Sequence, residues 1–264
     1  MCTRMCTLIV LHRCVPGAPL VVAANRDEFS DRPAEGPKLR QTPHGVIVAP
    51  RDVKAGGTWL GLNAVGLVAA VTNRRCESPD PSRRSRGLLV LDALAARSAD
   101  EAAARMEKLE TETYNPFTLF MADRRSAHAV TYVDSPRRLE LGPGVHVIGN
   151  ADPATTTEKS ERLRKKAEAA ASGRTALVLD RLAEICRGHD GDGDPLQDAC
   201  VHAGGYGTRS SSLLKLGDAE GESVLLFTDR APCASEYEDF TPLLRDLDRS
   251  HGLEAGDTAI RKVS

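Results

Sequence analysis

The sequence predicts an α+β protein on two observations. Apolar runs of strand length, each bounded by Gly or Pro, fill the first quarter of the chain, and two blocks of helical spacing alternate with later strand pairs. Residues 6–12, 20–24 and 46–49 are the first three runs, the last following Pro43. Thr58-Trp59-Leu60-Gly61-Leu62 and residues 67–72 flank the turn-forming Asn63-Ala64-Val65-Gly66, which predicts a hairpin. After an Arg/Ser/Pro loop, residues 87–111 place Leu88, Leu91, Leu94 and Ala95 at helical spacing, giving two helices broken near Ser98. Strands return at 117–122, 127–133 and 145–148, with turns at 123–126 and 142–144. A charged, Ala-rich helix over 157–172 follows three threonines that offer caps, and 176–187 is amphipathic through Leu177, Leu179, Leu182 and Ile185. A final strand pair at 210–216 and 223–229 precedes a polar tail expected to fray from about His251. With no repeat and no linker, the expectation is one domain over 1–264, its core at about 5–235.

Composition narrows the function classes. A chain of 264 residues with 41% apolar residues can bury a sizeable core. Its 35 basic and 37 acidic groups leave a net charge of −2, so no global field favours nucleic acid or anionic lipid. No apolar run approaches the roughly 18 residues that span a bilayer, and the start lacks a signal-peptide pattern, so the expected location is cytoplasmic. Seven cysteines occur with no Cys-x-x-Cys pair and no histidines at zinc-ligand spacing, so neither a disulfide framework nor a metal site is expected.

Several clusters carry chemistry. Met-Cys-Thr occurs twice, at 1–3 and 5–7, and either methionine is a candidate initiator. A cysteine exposed by methionine removal would unite a thiol nucleophile with its own α-amine, whose pKa of about 7.7–8.0 suits a proton acceptor. Cys6 is the leading candidate and Cys2 the alternative nucleophile. If the segment before Cys6 is retained, its nitrogen is an amide and cannot play that part. Asn25-Arg26-Asp27-Glu28 ends an apolar strand with four polar groups, of which an arginine would favour a thiolate and a carboxylate would position an ammonium or a substrate proton. Gly56-Gly57-Thr58-Trp59-Leu60-Gly61 has the wrong spacing for nucleotide-binding glycines and reads as a close-packed hairpin anchored by the single tryptophan. Asp190-Gly191-Asp192-Gly193-Asp194 fails as a calcium loop, because Pro195 and Val201 stand where glycine and glutamate are needed. His202 is expected to be an ordinary histidine, with a haem or metal role left open, and Arg83, Arg84 and Arg86 to be a solvated basic loop.

Taken in order, Met5-Cys6-Thr7, Asn25-Arg26-Asp27-Glu28, Gly56-Gly57-Thr58-Trp59-Leu60-Gly61, Thr72-Asn73 and Tyr206-Gly207-Thr208-Arg209 resemble the NRDE-motif family, which contains the transport and Golgi organisation protein two homologues. The match covers roughly residues 5–235. The resemblance implies an N-terminal nucleophile hydrolase-like fold, a four-layer αββα sandwich with the cysteine heading an inner strand. A more distant similarity, to cysteine-type bile-salt hydrolases and penicillin V acylases, implies roles residue by residue. Cys6 would be the nucleophile, Arg26 and Asp27 its charged partners, Asn73 and Asn150 the oxyanion donors, and Arg209 a distal charge ordering the site. Asn25, Glu28, Trp59 and Tyr206 would contact substrate. Which of Asp27 and Glu28 faces the thiol stays open, because that pattern places its acid three residues after the arginine.

The function expected from this resemblance is cleavage or transfer of an acyl group from a linear amide or thioester, with no cofactor required. The alternative is a non-catalytic carrier of haem or acyl-coenzyme A lipids on the same scaffold. Either way the partner is a small acyl substrate or hydrophobic ligand rather than nucleic acid, and a homo-oligomer is compatible with the sequence.

Overall fold

A computed structural model gives the fold and describes residues 6–260 apart from 77 and 220, with side chains as far as residue 250. Strands β1 (Thr7–Val15) and β2 (Ala18–Phe29) form the first hairpin. Next come β3 (Ala34–Thr42), β4 (Gly45–Asp52), β5 (Leu60–Asn63) and β6 (Val68–Asn73). Helices α1 (Arg86–Leu94) and α2 (Ala99–Met106) precede β7 (Phe117–Ala122), β8 (Ala127–Tyr132), β9 (Pro136–Glu140) and β10 (Gly144–Ile148). Helices α3 (Glu158–Ala171) and α4 (Val178–Cys186) lead into β11 (His202–Ala203), β12 (Tyr206–Leu216), β13 (Val224–Thr228) and β14 (Glu238–Asp239), and α5 (Thr241–Ile260) ends the described chain.

These strands make two antiparallel sheets. One runs β10-β1-β2-β12-β13-β14 with β11 paired to β12, and the other is the meander β3 through β9. Alternation along the strands decides the layering. In the first sheet Leu8, Val10, Leu20 and Val22 meet Val48, Leu60, Val68 and Phe120 of the second, forming the inter-sheet core. The opposite faces are covered by helices. Ile9, Leu11, Val21 and Ala23 pack on Leu163, Ala167 and Leu182 of α3 and α4, and Leu67, Ala69 and Leu119 pack on Leu89, Val90 and Ala102 of α1 and α2. The order helix, sheet, sheet, helix is the expected αββα sandwich.

Local chemistry fixes the ends of the helices. Ser98, where the periodicity breaks, caps α2 by accepting from Glu101 N, and Thr157 caps α3 in a reciprocal box with Ser160. Gly57 allows a backbone approach that no other residue permits, since a Cβ there would lie 2.3 Å from the carbonyl carbon of Gly87 at the start of α1. The Gly-Gly-Thr-Trp segment is thus a crossing point of two backbones, held by Thr58 N donating to Gly87 O at 3.0 Å.

Four elements differ from the sequence expectation. Asn25–Glu28 does not end a strand, because β2 continues to Phe29 with Asp27 opposite Thr208 and Phe29 opposite Tyr206 on β12. Strands β3 and β9 lie at the two edges of their sheet and are rich in charge, so they lack the alternation that marks half-buried strands. Helix α5 runs through the segment read as a fraying tail; Gly252 and Gly256 erase its sequence signal.

Candidate functional site

The head of β1, the end of β6 and the end of β10 meet at one edge of the sandwich. Leu8 pairs with Ile148, which carries the following Gly149-Asn150 past Cys6. Thr72 Oγ1 donates to Gly149 O at 2.9 Å, and the Asn150 side-chain amide donates to the Asn73 carbonyl, so the two sheets are tied together beside the thiol. Two cavities meet at Cys6. The larger, about 290 Å³, is walled by Val147, Ala151, Pro153 and Leu163 with Lys159 and Arg75 at its polar side. The smaller, about 90 Å³, is lined by Arg26, Glu28, Asp52, Trp59 and Asn73.

Electrostatics separate the four residues of the Asn-Arg-Asp-Glu segment. Asn25 points to the helical layer, where its amide donates to Cys186 O at 2.9 Å and Ala199 O at 2.8 Å; it fastens β2 to the α4 region and does not line the cavities. Arg26 lies 3.6 Å from the Asp52 carboxylate, 3.8 Å from Glu28 and 4.3 Å above the Trp59 ring, so its charge is spent within the protein. Glu28 accepts from Phe29 N at 3.0 Å. Cys6 Sγ lies 4.0 Å from the Asp27 backbone carbonyl oxygen, and of the two acids the Asp27 charge bears on the thiol more than that of Glu28.

Burial governs both groups. Burial, with the Asp27 charge beside it, pushes the Cys6 thiol up to about 12, so at neutral pH it rests protonated. Burial raises Asp27 to about 7, against the opposing pull of Lys159, Thr208 and Arg26. One Asp27 oxygen accepts from Thr208 Oγ1 at 2.6 Å, while the other is buried with no hydrogen-bond partner among the described residues. Tyr206 OH donates to the Asp27 carbonyl at 3.3 Å. Gly207 lets the neighbouring loop close, since a Cβ there would sit 2.4 Å from Val201 O. The Tyr-Gly-Thr segment is therefore the clamp on Asp27, and Tyr206 acts through the backbone of that residue.

Arg209 stands apart. It sits at a β-bulge of β12 between Thr208 and Ser210 and lines a separate small cavity with Arg26, Trp59 and Asp229. Cys2 lies outside the described residues. Sequence reasoning passed over Lys159, whose ammonium donates to Leu196 O at 3.3 Å and whose burial lowers its pKa against the pull of Asp27. A signal existed: Lys159 shares the buried stripe of α3 with Leu163 and Ala167, an apolar face on which a lysine is out of place.

A family model, Transport and Golgi organisation 2, matches residues 5–226 of this chain. The chain belongs to that family. Among curated members, the Transport and Golgi organization protein 2 homolog of Bos taurus is 30% identical over 82% of this chain and 88% of its own length. The Homo sapiens homolog is 29% identical over 80% and 86%. Among solved structures, the Caenorhabditis elegans N-acylethanolamine-hydrolyzing acid amidase ortholog superposes with a TM-score of 0.55 at 12% identity, covering 79% of this chain and 92% of that one. A conjugated bile acid hydrolase from Clostridium perfringens covers 89% and 96% at a TM-score of 0.47 and 9% identity. The αββα sandwich of this Transport and Golgi organisation 2 family member is thus the fold of N-terminal nucleophile hydrolases.

Proposed function

We propose that this family member is an acyl-transferring or amide-hydrolysing enzyme in which Cys6, freed as the N-terminal residue, attacks the carbonyl of a linear amide or thioester. The observation that carries it is the position of Cys6 at the junction of an apolar-walled cavity with a fixed polar one. An acyl chain would lie along Val147, Ala151 and Leu163, bringing its carbonyl to the thiol. A thiol held near 12 cannot be a standing thiolate, so attack requires a proton acceptor. The α-amine of an N-terminal Cys6 would supply one, and the Asp27 carboxylate would hold the ammonium that forms.

The carbon–sulfur bond forms as the sulfur proton passes to the amine, and the tetrahedral intermediate then collapses to the acyl-enzyme as its bond to the leaving amine or thiol breaks and that group takes the proton. Water then releases the acid. Asn73, on the cavity wall, would donate to the oxyanion. Asn150 commits one amide hydrogen to Asn73 O and so acts first by holding that residue in place. The fold-sharing amidase acts, by its name, on N-acylethanolamines, which makes fatty acyl amides the first substrates to try.

One observation favours the carrier alternative: a buried thiol with a raised pKa is also what an inert pocket wall contains. Among the described residues, those lining the two cavities include no histidine, methionine or tyrosine, so of these residues Cys6 is the one that would serve a haem as thiolate ligand. Assay of acyl-ethanolamide and acyl-thioester hydrolysis by the wild type and Cys6→Ala separates these possibilities. Turnover lost in the variant supports the enzyme, whereas absent turnover with acyl-coenzyme A retained equally by both proteins supports the carrier.

A further inference from the structure

Three chain segments that sequence spacing keeps apart converge at a corner beyond α4. His189 lies in the loop after that helix, Cys200 and His202 lie at the loop's far end and in β11, and Cys233 comes from the connection between β13 and β14. One ligand atom from each of these four residues falls within 4.8 Å of all the others. Cys200 Sγ is 3.5 Å from Cys233 Sγ and 3.6 Å from His202 Nε2, and His202 Nε2 is 3.2 Å from Cys233 Sγ. A tetrahedral zinc ion with Zn–S near ~2.3 Å and Zn–N near ~2.0–2.1 Å separates its ligands by about 3.3–3.8 Å, close to the spacings among Cys200, His202 and Cys233, with His189 within 4.8 Å of all three.

We propose that His189, Cys200, His202 and Cys233 form a Cys2His2 site for a zinc-class divalent ion, distinct from the Cys6 cavities. Two thiolates and two imidazoles suit a borderline-soft, tetrahedral ion, and four protein ligands make a closed, structural site rather than a catalytic one. The corner is held in place independently of any ion. Cys200 N donates to Gly188 O at 3.1 Å, closing the loop that begins near His189, and Arg187 Nε donates to Pro232 O at 3.0 Å, drawing in the Cys233 segment. The Asp198 carboxylate lies 3.8 Å from His189 Nδ1, so a small shift would let it orient that imidazole. His189, His202 and Cys233 are exposed, so an ion can enter from solvent.

The site has a use within the fold. Cys200 is flanked by Ala199, whose carbonyl accepts from Asn25, and by Val201, whose N–H donates to Thr208 Oγ1, the hydroxyl that caps Asp27. An ion binding Cys200 therefore braces both the Asn25 and the Asp27 anchors of β2 from behind. The sequence hides it because ten, one and thirty residues intervene between successive ligands, a pattern matching no short zinc motif.

The test is elemental analysis of the full chain, expressed in zinc-supplemented medium with a tag that contains no histidine run and purified under reducing conditions. One zinc per chain is expected, falling to a small fraction in Cys233→Ser and in His202→Ala, both exposed positions, and unchanged in Cys14→Ser. Cobalt(II) added to the metal-free wild type should give intense thiolate-to-metal charge-transfer and tetrahedral ligand-field bands, which does not depend on any variant folding. Zinc content unaltered in the variants, or a metal-free chain that takes up no cobalt with its thiols free, would overturn the site. So would isolation of the metal-free chain with a Cys200–Cys233 disulfide. None of these readouts involves turnover, so they stand apart from the fate of the Cys6 chemistry.

Discussion

The two cavities that share the Cys6 thiol differ in how much apolar wall they offer. On one side Val147, Ala151, Pro153 and Leu163 wall a space of about 290 Å³; on the other Arg26, Arg32, Glu28 and Asp52 crowd about 90 Å³. The ionic side is already satisfied internally. Asp52 takes Arg32 at 2.9 Å and Arg26 at 3.6 Å on one oxygen, and the N–H groups of Lys54 and Ala55 on the other. Charges so committed have little left for a ligand, so under the proposed function the polar cavity would shape the site and the larger one would receive the substrate.

The largest effect should come from the group the two sides share. Cys6→Ser should lower acyl hydrolysis at least ~1000-fold with an unchanged melting temperature, measured as kcat/KM on an acyl ethanolamide. Comparable loss on removing Asp52, with the fold intact, would show that the ionic side does more than shape the site. Next comes the clamp on Asp27. Thr208→Val leaves the Val201 N–H and an Asp27 oxygen without their hydroxyl and should cost about 1–3 kcal/mol in denaturant unfolding, whereas Tyr206→Phe should cost about 0.5–1.5 kcal/mol.

Filling the apolar side sharpens the contrast further. Ala151→Phe should reduce kcat/KM for long acyl chains about 10-fold and leave acetyl substrates nearly unchanged, because only the longer chains need the space along Val147 and Leu163. Equal effects on both would place the acyl chain elsewhere.

A further effect is a pH dependence of stability. Asp27 has a raised pKa, so between its unfolded value near 3.8 and its folded value of about 7 the native state binds more protons than the unfolded state. Stability from this group is therefore greatest at the acid end and declines as pH rises to about 7, then stays level. Asp27→Asn lacks that term, so its melting temperature should gain on the wild type by a few degrees between about pH 5 and about pH 8. A constant difference over that range would mean that Asp27 is ionised throughout.

The layers of the fold were legible because they rest on local periodicity: the alternation in β1 and β2 and the stripes of α1 to α4 state which face is buried. That Cys6, Arg26, Asp27 and Asn73 come to one cavity was legible only through the resemblance of their motifs to the family. What escaped depends on contacts distant in sequence. That Asn25 is a brace and Asp27 the acid beside the thiol follows from β2 running on against β12, and this pairing is written in residues 206–212, nearly two hundred positions away. Edge strands β3 and β9 face too little core to show a period. Lys159 carried a signal as a lone cation on an apolar stripe, but its place behind Asp27 needs the packing of α3 on β1 and β2.

The central claim is that Cys6 works as an N-terminal nucleophile, and intact mass tests it most directly. The protein would be expressed from its own start with only a C-terminal tag and weighed before and after a thiol-directed acyl probe at neutral pH. A chain that begins at Cys6 and gains one adduct, mapped to Cys6 ahead of the other cysteines, is the predicted result. A chain that keeps a residue before Cys6 and shows no selective adduct there would contradict it.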